Sequence, residues 1–105
     1  MPRNALRLPS ISTAEPLVID LLGSKDRYGL ELVDASDGRL KRGTIYVTLS
    51  RMEAKGFVES WQEARPAGAI GLPRRMYRAT TYGLKVQNAF QLLRQALALK
   101  PAVAR

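Results

Sequence analysis

The chain contains neither cysteine nor histidine. Without a thiol it forms no disulfide and no thiolate nucleophile, and without an imidazole it lacks the usual partner of a zinc ion or a catalytic serine. Asp34 and Asp37 could be proposed as a carboxylate pair, but they fall at a helix end and a turn that imply no pocket, and Ser50 has no base beside it. These absences argue against an enzyme and against a metal or other cofactor.

Long apolar runs are missing as well. No segment approaches the roughly 20 apolar residues of a membrane span, and residues 1–11 lack the continuous apolar core of a signal peptide. A protein of the membrane surface usually carries a basic amphipathic helix, whereas the bases here are spread over a helix start and a hairpin. We therefore expect no membrane partner, and the lack of cysteine favours a reducing compartment such as the cytoplasm.

Acidic residues are scarce and unevenly distributed. The chain has 17 lysines and arginines against 9 acids, for a net charge of +8. Residues 12–38 hold six acids and two bases, residues 39–105 hold three acids and thirteen bases, and residues 64–85 hold no acid. A polarised basic surface of this kind favours a polyanion such as a nucleic acid.

The length of 105 residues fits one domain, which begins with a helix. Ser12, with Glu15 three residues later, is typical of a capping box, and Thr13 is the alternative N-cap. Apolar residues then recur with helical spacing until residues 23–24 end the helix. The apolar face comprises Ala14, Leu17, Val18, Leu21 and Leu22.

Two further helices follow. The first is predicted for residues 28–36, with Asp26 as its cap, and an Asp-Gly turn comes after it at residues 37–38. The second is predicted for residues 42–55, and Gly56 provides a glycine stop. Its apolar residues lie four and seven positions apart, so they share one face: Ile45, Leu49 and Met52.

The last third of the chain contains a predicted hairpin and a long helix. Residues 57–62 and 74–79 are β-prone, and the segment between them is broken by glycine and proline. Thr80 is the expected N-cap of a helix over residues 81–100. The chain is thus mainly α with a small β-hairpin, in the order of a winged helix-turn-helix followed by a C-terminal dimerisation helix.

Three segments resemble the PadR family of bacterial transcriptional regulators. They are residues 28–32 (YGLEL), residues 43–58 (GTIYVTLSRMEAKGFV) and residues 73–83 (PRRMYRATTYG), and the match covers roughly residues 12–85 in the same order and spacing. The resemblance implies a winged helix, a homodimer, and a repressor of nearby genes that is often released by a small phenolic or multidrug effector. Such a regulator is expected in the bacterial cytoplasm, associated with the nucleoid through double-stranded DNA.

The predicted organisation divides the chain into four parts. A basic arm occupies residues 1–11, and the winged helix-turn-helix domain occupies residues 12–80. A dimerisation helix spans residues 81–100, and a short tail covers residues 101–105. The apolar stripe predicted to pair two copies comprises Val86, Phe90, Leu93 and Leu97. The alternative is that this stripe covers the core of its own domain.

The third helix and the hairpin provide the predicted DNA contacts. Lys41, Arg42 and the helix N-terminus would meet phosphates, and Tyr46 would either bind a phosphate or pack on the core. The hairpin would act as a wing with two phosphate contacts, Arg74 and Arg75. The residues expected to reach base edges in the major groove are Thr44, Val47, Thr48 and Arg51.

Two other functions fit part of this pattern. A winged-helix adaptor that binds only proteins would have an uncharged or acidic third helix and wing, and this chain has the opposite. A non-specific nucleic-acid binder would present several stacking aromatics on a sheet, and only Trp61 and Tyr77 are available here. A sequence-specific DNA-binding regulator, expected to be a homodimeric repressor that binds a palindromic operator, is therefore the favoured interpretation.

Overall fold

A computed structural model describes residue 9 and residues 11–98. These residues form four helices and one three-stranded antiparallel sheet, which confirms the predicted fold class. Most of the predicted arm, the tail at 101–105 and the last two positions of the predicted helix 81–100 lie outside the described residues. The elements are α1 (Glu15–Ser24), β1 (Arg27–Tyr28), α2 (Gly29–Ala35), α3 (Ile45–Ala54), β2 (Val58–Gln62), β3 (Arg75–Ala79) and α4 (Thr81–Ala98).

Helix α1 begins at Glu15 and forms one wall of the core. The N-cap is Ala14 and not the predicted Ser12 or Thr13, and no side chain caps the helix. The Glu15 carboxylate does accept a hydrogen bond from the backbone N–H of Ser12 at 2.9 Å, which is one of the two bonds of a capping box. The buried face is shifted by one position from the predicted stripe, because Ile19 is buried while Leu17 and Leu21 are only half-buried at the core edge. Helix α1 ends at Ser24, as predicted.

Helix α2 starts later than predicted. Its N-cap is Tyr28 and not Asp26, because Asp26 instead accepts hydrogen bonds from Arg78. The preceding residues 27–28 are taken up by β1, a two-residue strand that the sequence analysis missed. The Glu31 carboxylate accepts a hydrogen bond from the Tyr28 N–H at 3.3 Å and so supports the first turn of the helix.

The turn between α2 and α3 is held by a buried serine. Ser36 Oγ donates to the Val33 carbonyl at 2.7 Å and accepts from the Leu40 N–H at 2.9 Å. The predicted turn at residues 37–38 is confirmed, since both residues have positive φ. Leu40 is buried and anchors the segment that leads into α3.

Helix α3 begins at Ile45, three residues after the predicted start at Arg42, and its N-cap is Thr44. Its predicted end is confirmed. Gly56 has a φ of 83° and donates to the Glu53 carbonyl, while the N–H of Phe57 donates to the Met52 carbonyl. These two bonds are those of a Schellman motif, in which the left-handed residue is usually glycine. They turn the chain directly from α3 into the sheet.

The sheet has the strand order β1-β3-β2. Strands β2 and β3 form the predicted hairpin, in register from Val58 opposite Ala79 to Gln62 opposite Arg75. Strand β1 pairs with the other edge of β3, which places Tyr28 opposite Met76. This added strand ties the wing to the start of α2.

Helix α4 is fixed to the end of α3. Its predicted cap is confirmed, because Thr80 Oγ1 accepts the N–H of Gly83 at 2.9 Å. A side chain at Gly83 would overlap the backbone of Phe57, so the helix needs glycine there to approach so closely. Gln87 also donates a hydrogen bond to Asp20 of α1. The core beneath these elements comprises Val18, Ile19, Leu22, Leu32, Leu40, Ile45, Leu49, Met52, Phe57, Val58, Tyr77 and Val86.

Candidate nucleic-acid interface

One side of α3 is buried and another is open to solvent. Ile45, Leu49 and Met52 are at most 1% exposed, as the helical spacing predicted. A neighbouring, largely exposed set of positions lies three, four and seven residues apart and defines what we call the α3 face: Thr44, Val47, Thr48 and Arg51. Three of these four side chains are exposed and Thr48 is half-buried. The apolar back fixes the orientation of the helix, so the α3 face is presented outward on a rigid support.

Lys41 and Arg42 lie in the turn before α3, although Arg42 was predicted to begin the helix. Both are exposed. Lys41 Nζ donates to the Gly38 carbonyl at 2.8 Å, which holds its ammonium over the turn. Thr44 makes no side-chain cap bond, so the N-terminus of α3 relies on backbone bonds to Lys41.

Tyr46 lies beside the α3 face and packs against α2. Its side chain is 50% exposed, and its ring lies so close to Gly29 that a side chain at Gly29 would overlap it. The phenol therefore does not enter the core, and its outer half remains open to solvent. This close approach gives a physical reason for glycine after the tyrosine in the sequence Tyr28-Gly29.

The wing and the first turns of α2 and α3 form a cleft of about 430 Å³. Arg74 forms part of its wall, and its guanidinium lies 4.5 Å from the ring centroid of Tyr28. A cation above an aromatic face is attracted to it, so Tyr28 orients Arg74 beside the start of α3. The cleft thus brings the predicted contacts Tyr46, Arg74 and Arg75 together. Its lining residues are Tyr28, Gly29, Leu30, Tyr46, Leu72, Pro73, Arg74 and Arg75.

Arg75 is connected to α3 through a chain of hydrogen bonds. Its Nε donates to Ser60 Oγ at 3.0 Å, and Ser60 Oγ donates to the Glu53 carboxylate at 2.7 Å. These bonds cross from β3 to β2 and then to the last turn of α3. The wing and the α3 face are therefore held in a defined relative orientation.

Arg78 has a structural role, because it joins β3 to Asp26 and to Trp61. Its guanidinium binds Asp26 through two hydrogen bonds of 3.2 and 2.9 Å and lies 4.7 Å from the ring centroid of Trp61. The hydrogen bonds from Arg78 lower the pKa of the Asp26 carboxyl below its ordinary value. Trp61 is half-buried on β2, and its ring packs against the Arg78 guanidinium.

A buried ion pair supports α3 from behind. Glu15 is 1% exposed, and both of its carboxylate oxygens bind Lys55 Nζ, at 2.9 and 2.8 Å. Lys55 is the C-cap of α3, and its ammonium also lies 5.5 Å from the ring centroid of Phe57. The sequence predicted only a capping role for Glu15, because no local pattern links residues that are 40 positions apart.

The predicted pairing stripe on α4 divides into two parts. Val86 is 6% exposed and packs in the core of its own domain, and Phe90 packs partly against the same core. Leu93 and Leu97 are 44% and 75% exposed, and Leu92 beside them is 57% exposed. The predicted stripe thus covers its own domain at Val86 and Phe90 and is open to solvent at Leu93 and Leu97.

Two features are absent from the described residues. Among them, no group of three acidic, histidine or cysteine side chains could hold a metal ion. Within the same part of the chain, no helix is long and apolar enough to cross a membrane.

Comparison with known proteins agrees with this arrangement. A family model described as the transcriptional regulator PadR-like family matches residues 18–89. A PadR family transcription regulator from hypervirulent Clostridium difficile R20291 is 27% identical, with a TM-score of 0.70 over 82% of this chain and 91% of that chain. A PadR family regulator from Eggerthella lenta DSM 2243 is 26% identical, with a TM-score of 0.68 over 81% of this chain and 74% of that chain.

The sequence matches none of the curated proteins with which it was compared. The matched family model, however, extends from α1 into α4 and includes the α3 face and the whole wing. The chain therefore belongs to the PadR-like family of DNA-binding transcriptional regulators.

Proposed function

We propose that this regulator is a homodimeric repressor that binds a palindromic operator in the bacterial cytoplasm. The observation that carries the proposal is the α3 face, an outward surface without acidic groups on a helix whose back is fully buried. A helix presented in this way has the size and shape to enter a DNA major groove.

The α3 face combines methyl groups with one guanidinium. Thr44, Val47 and Thr48 offer methyl groups to thymine methyls, and the threonine hydroxyls can bind either base type. Arg51 has the fork geometry that recognises the O6 and N7 atoms of guanine. These four residues are proposed to read the bases of one half-site.

The surrounding cations are proposed to bind phosphates. Lys41 and Arg42 lie just before the N-terminus of α3, where backbone N–H groups and the helix dipole also favour an anion. Arg74, Arg75 and the exposed phenol of Tyr46 line the cleft. Such contacts fix the register of a protein on DNA without selecting a sequence.

Dimerisation is proposed to involve the second half of α4. Leu93 and Leu97 form an exposed apolar surface with Leu92, and apolar side chains of this kind are stabilised when a second copy covers them. Val86 and Phe90 would support this surface from within each subunit. Two α3 faces would then lie about one DNA turn apart, roughly 34 Å.

Release by a small aromatic or phenolic effector completes the proposal. The family to which the chain belongs motivates this part of the proposal. However, α4 contains no tryptophan that would supply an aromatic platform for such a compound. Binding of DNA and release by an effector therefore require separate experiments.

The test is selection of bound sequences from random duplex DNA, followed by mobility-shift titration against random competitor. Enrichment of one palindrome, bound well above random DNA, is expected. Repeating the titration with phenolic compounds tests release. Equal binding to all duplexes would instead identify a non-specific binder, and no binding to any duplex would favour the protein adaptor.

A further inference from the structure

The tip of the wing has an unusual composition. Between Arg65 and Arg74 lie eight residues, Pro-Ala-Gly-Ala-Ile-Gly-Leu-Pro, without one polar side chain. A tip that contacted only phosphates would be expected to carry lysine, arginine, serine or threonine. The wing tip, defined as residues 66–73, therefore needs a different explanation.

The wing tip is held in a defined conformation. The Ala69 N–H donates to the Pro66 carbonyl at 3.1 Å and closes a turn in which Gly68 has a φ of 84°. Arg65 then donates to two further carbonyls, those of Leu72 at 2.7 Å and Ile70 at 2.8 Å. These bonds direct the guanidinium of Arg65 toward the backbone of the wing tip, where it organises the loop.

This conformation exposes two aliphatic side chains. Leu72 is 87% exposed and borders the cleft, while Ile70 is 92% exposed and is not among the residues that line it. A single exposed aliphatic residue is common on protein surfaces. Here, however, Ile70 lies on a loop whose carbonyls accept hydrogen bonds from Arg65, so the loop holds Ile70 in a defined position.

The charge around the wing tip indicates what covers it. Residues 64–85 contain no acid, and the proposed phosphate contacts Arg74 and Arg75 lie at the base of the wing. This arrangement matches a nucleic acid, whose two phosphate backbones flank a narrow groove. Proteins that enter the minor groove often insert aliphatic side chains there while their cations bind the backbone.

We infer that Ile70 enters the DNA minor groove next to the base pairs read by the α3 face, and that Arg65 is the positioning residue that holds it there. This inference rests on the proposed function. Guanine places an N2 amine on the minor-groove floor, where an aliphatic group would clash with it or leave it unpaired. The wing tip therefore selects base pairs that lack this amine.

The experiment uses the duplex selected by the full-length protein, with the pairs beneath the wing changed one at a time. A·T pairs are compared with G·C and with inosine·cytosine, which presents the major-groove atoms of G·C without the minor-groove amine. We expect the wild-type protein to bind the A·T and inosine·cytosine duplexes equally, and the G·C duplex about tenfold more weakly. If inosine·cytosine behaves like G·C, the minor-groove assignment is overturned.

Three variants assign the effect to residues. Ile70→Ser should remove most of the discrimination, and Ala69→Ser, a change of polarity on the same turn, should retain it. Arg65→Ala should also lose discrimination while the salt dependence of binding stays unchanged, since Arg65 holds carbonyls and not phosphates. Full discrimination in Ile70→Ser would overturn the inference, whereas a wild-type protein without any preferred duplex would overturn the proposed function itself.

Discussion

At the scale of single residues, Arg51 is the only charged side chain of the α3 face. Replacing Arg51 by Ala should cost about 1–3 kcal/mol on the selected duplex and relax the preference at one position per half-site. Ser50→Ala is the matched control, because Ser50 is exposed on the same helix but lies outside the α3 face. Titration of selected and random duplexes measures the effect, and an equal loss on both would contradict base reading by Arg51.

Tyr28 provides a second prediction at this scale. Its ring lies beneath the guanidinium of Arg74, an exposed cation–π contact of about 0.5–1 kcal/mol. Tyr28→Leu should therefore weaken binding to all duplexes about two- to fivefold, since Arg74 loses its support. Tyr28→Phe keeps the ring and should bind as the wild type does. Fluorescence anisotropy with labelled DNA checks this, and equal losses in both variants would show that the ring face does not position Arg74.

At the scale of elements, the second half of α4 is the proposed pairing surface. Leu93→Asp would bury an unpartnered carboxylate in both subunits of a dimer, which is strongly unfavourable. In the free subunit the side chain at this position is 44% exposed, so the fold itself should survive. Sedimentation should show a monomer that no longer binds the palindrome tightly. A wild-type protein that is monomeric at micromolar concentration yet protects a palindrome would refute the arrangement.

The ion pair that connects α1 to the end of α3 gives a further prediction. Lys55→Met should leave the buried Glu15 carboxylate without its ammonium and lower the free energy of unfolding by about 2–4 kcal/mol, somewhat below a fully buried case because Lys55 is partly exposed. The double variant Glu15→Gln, Lys55→Met removes the uncompensated charge and should recover much of the loss. Chemical denaturation of both variants measures this. A double variant less stable than Lys55→Met would contradict the explanation.

At the scale of the whole molecule, the uneven charge distribution predicts strong salt dependence. Replacing Arg74 and Arg75 together by Ala should weaken binding to all duplexes similarly and reduce the slope of log affinity against log salt by about 1–2. Titrations at several salt concentrations provide the slope. An unchanged affinity with an unchanged slope would remove the wing from the DNA interface.

Local features of the molecule could be predicted from the sequence, and long-range ones could not. The spacing of Ile45, Leu49 and Met52 and the stop at Gly56 give α3, because both signals act within a few turns. Strand β1 is two residues long, which is too short to show the alternation of apolar and polar residues typical of a strand, so the sequence did not indicate its pairing with β3. The cleft depends on that pairing. For the same reason the sequence analysis named Arg74 but missed Tyr28, which lies beneath it.

The close approach of Gly83 to Phe57 has a mechanical consequence. The Phe57 N–H is bonded to α3 and its carbonyl accepts the N–H of Thr80, so the first turn of α4 and the last turn of α3 share one joint. Helix α4 has 18 residues and so is about 27 Å long. In the proposed dimer it acts as a rigid lever, and a tilt of about 10° moves its far end relative to the joint by about 5 Å, nearly one helical turn. A small change in how two α4 helices cross would thereby alter the spacing of the two α3 faces enough to separate them from successive major grooves.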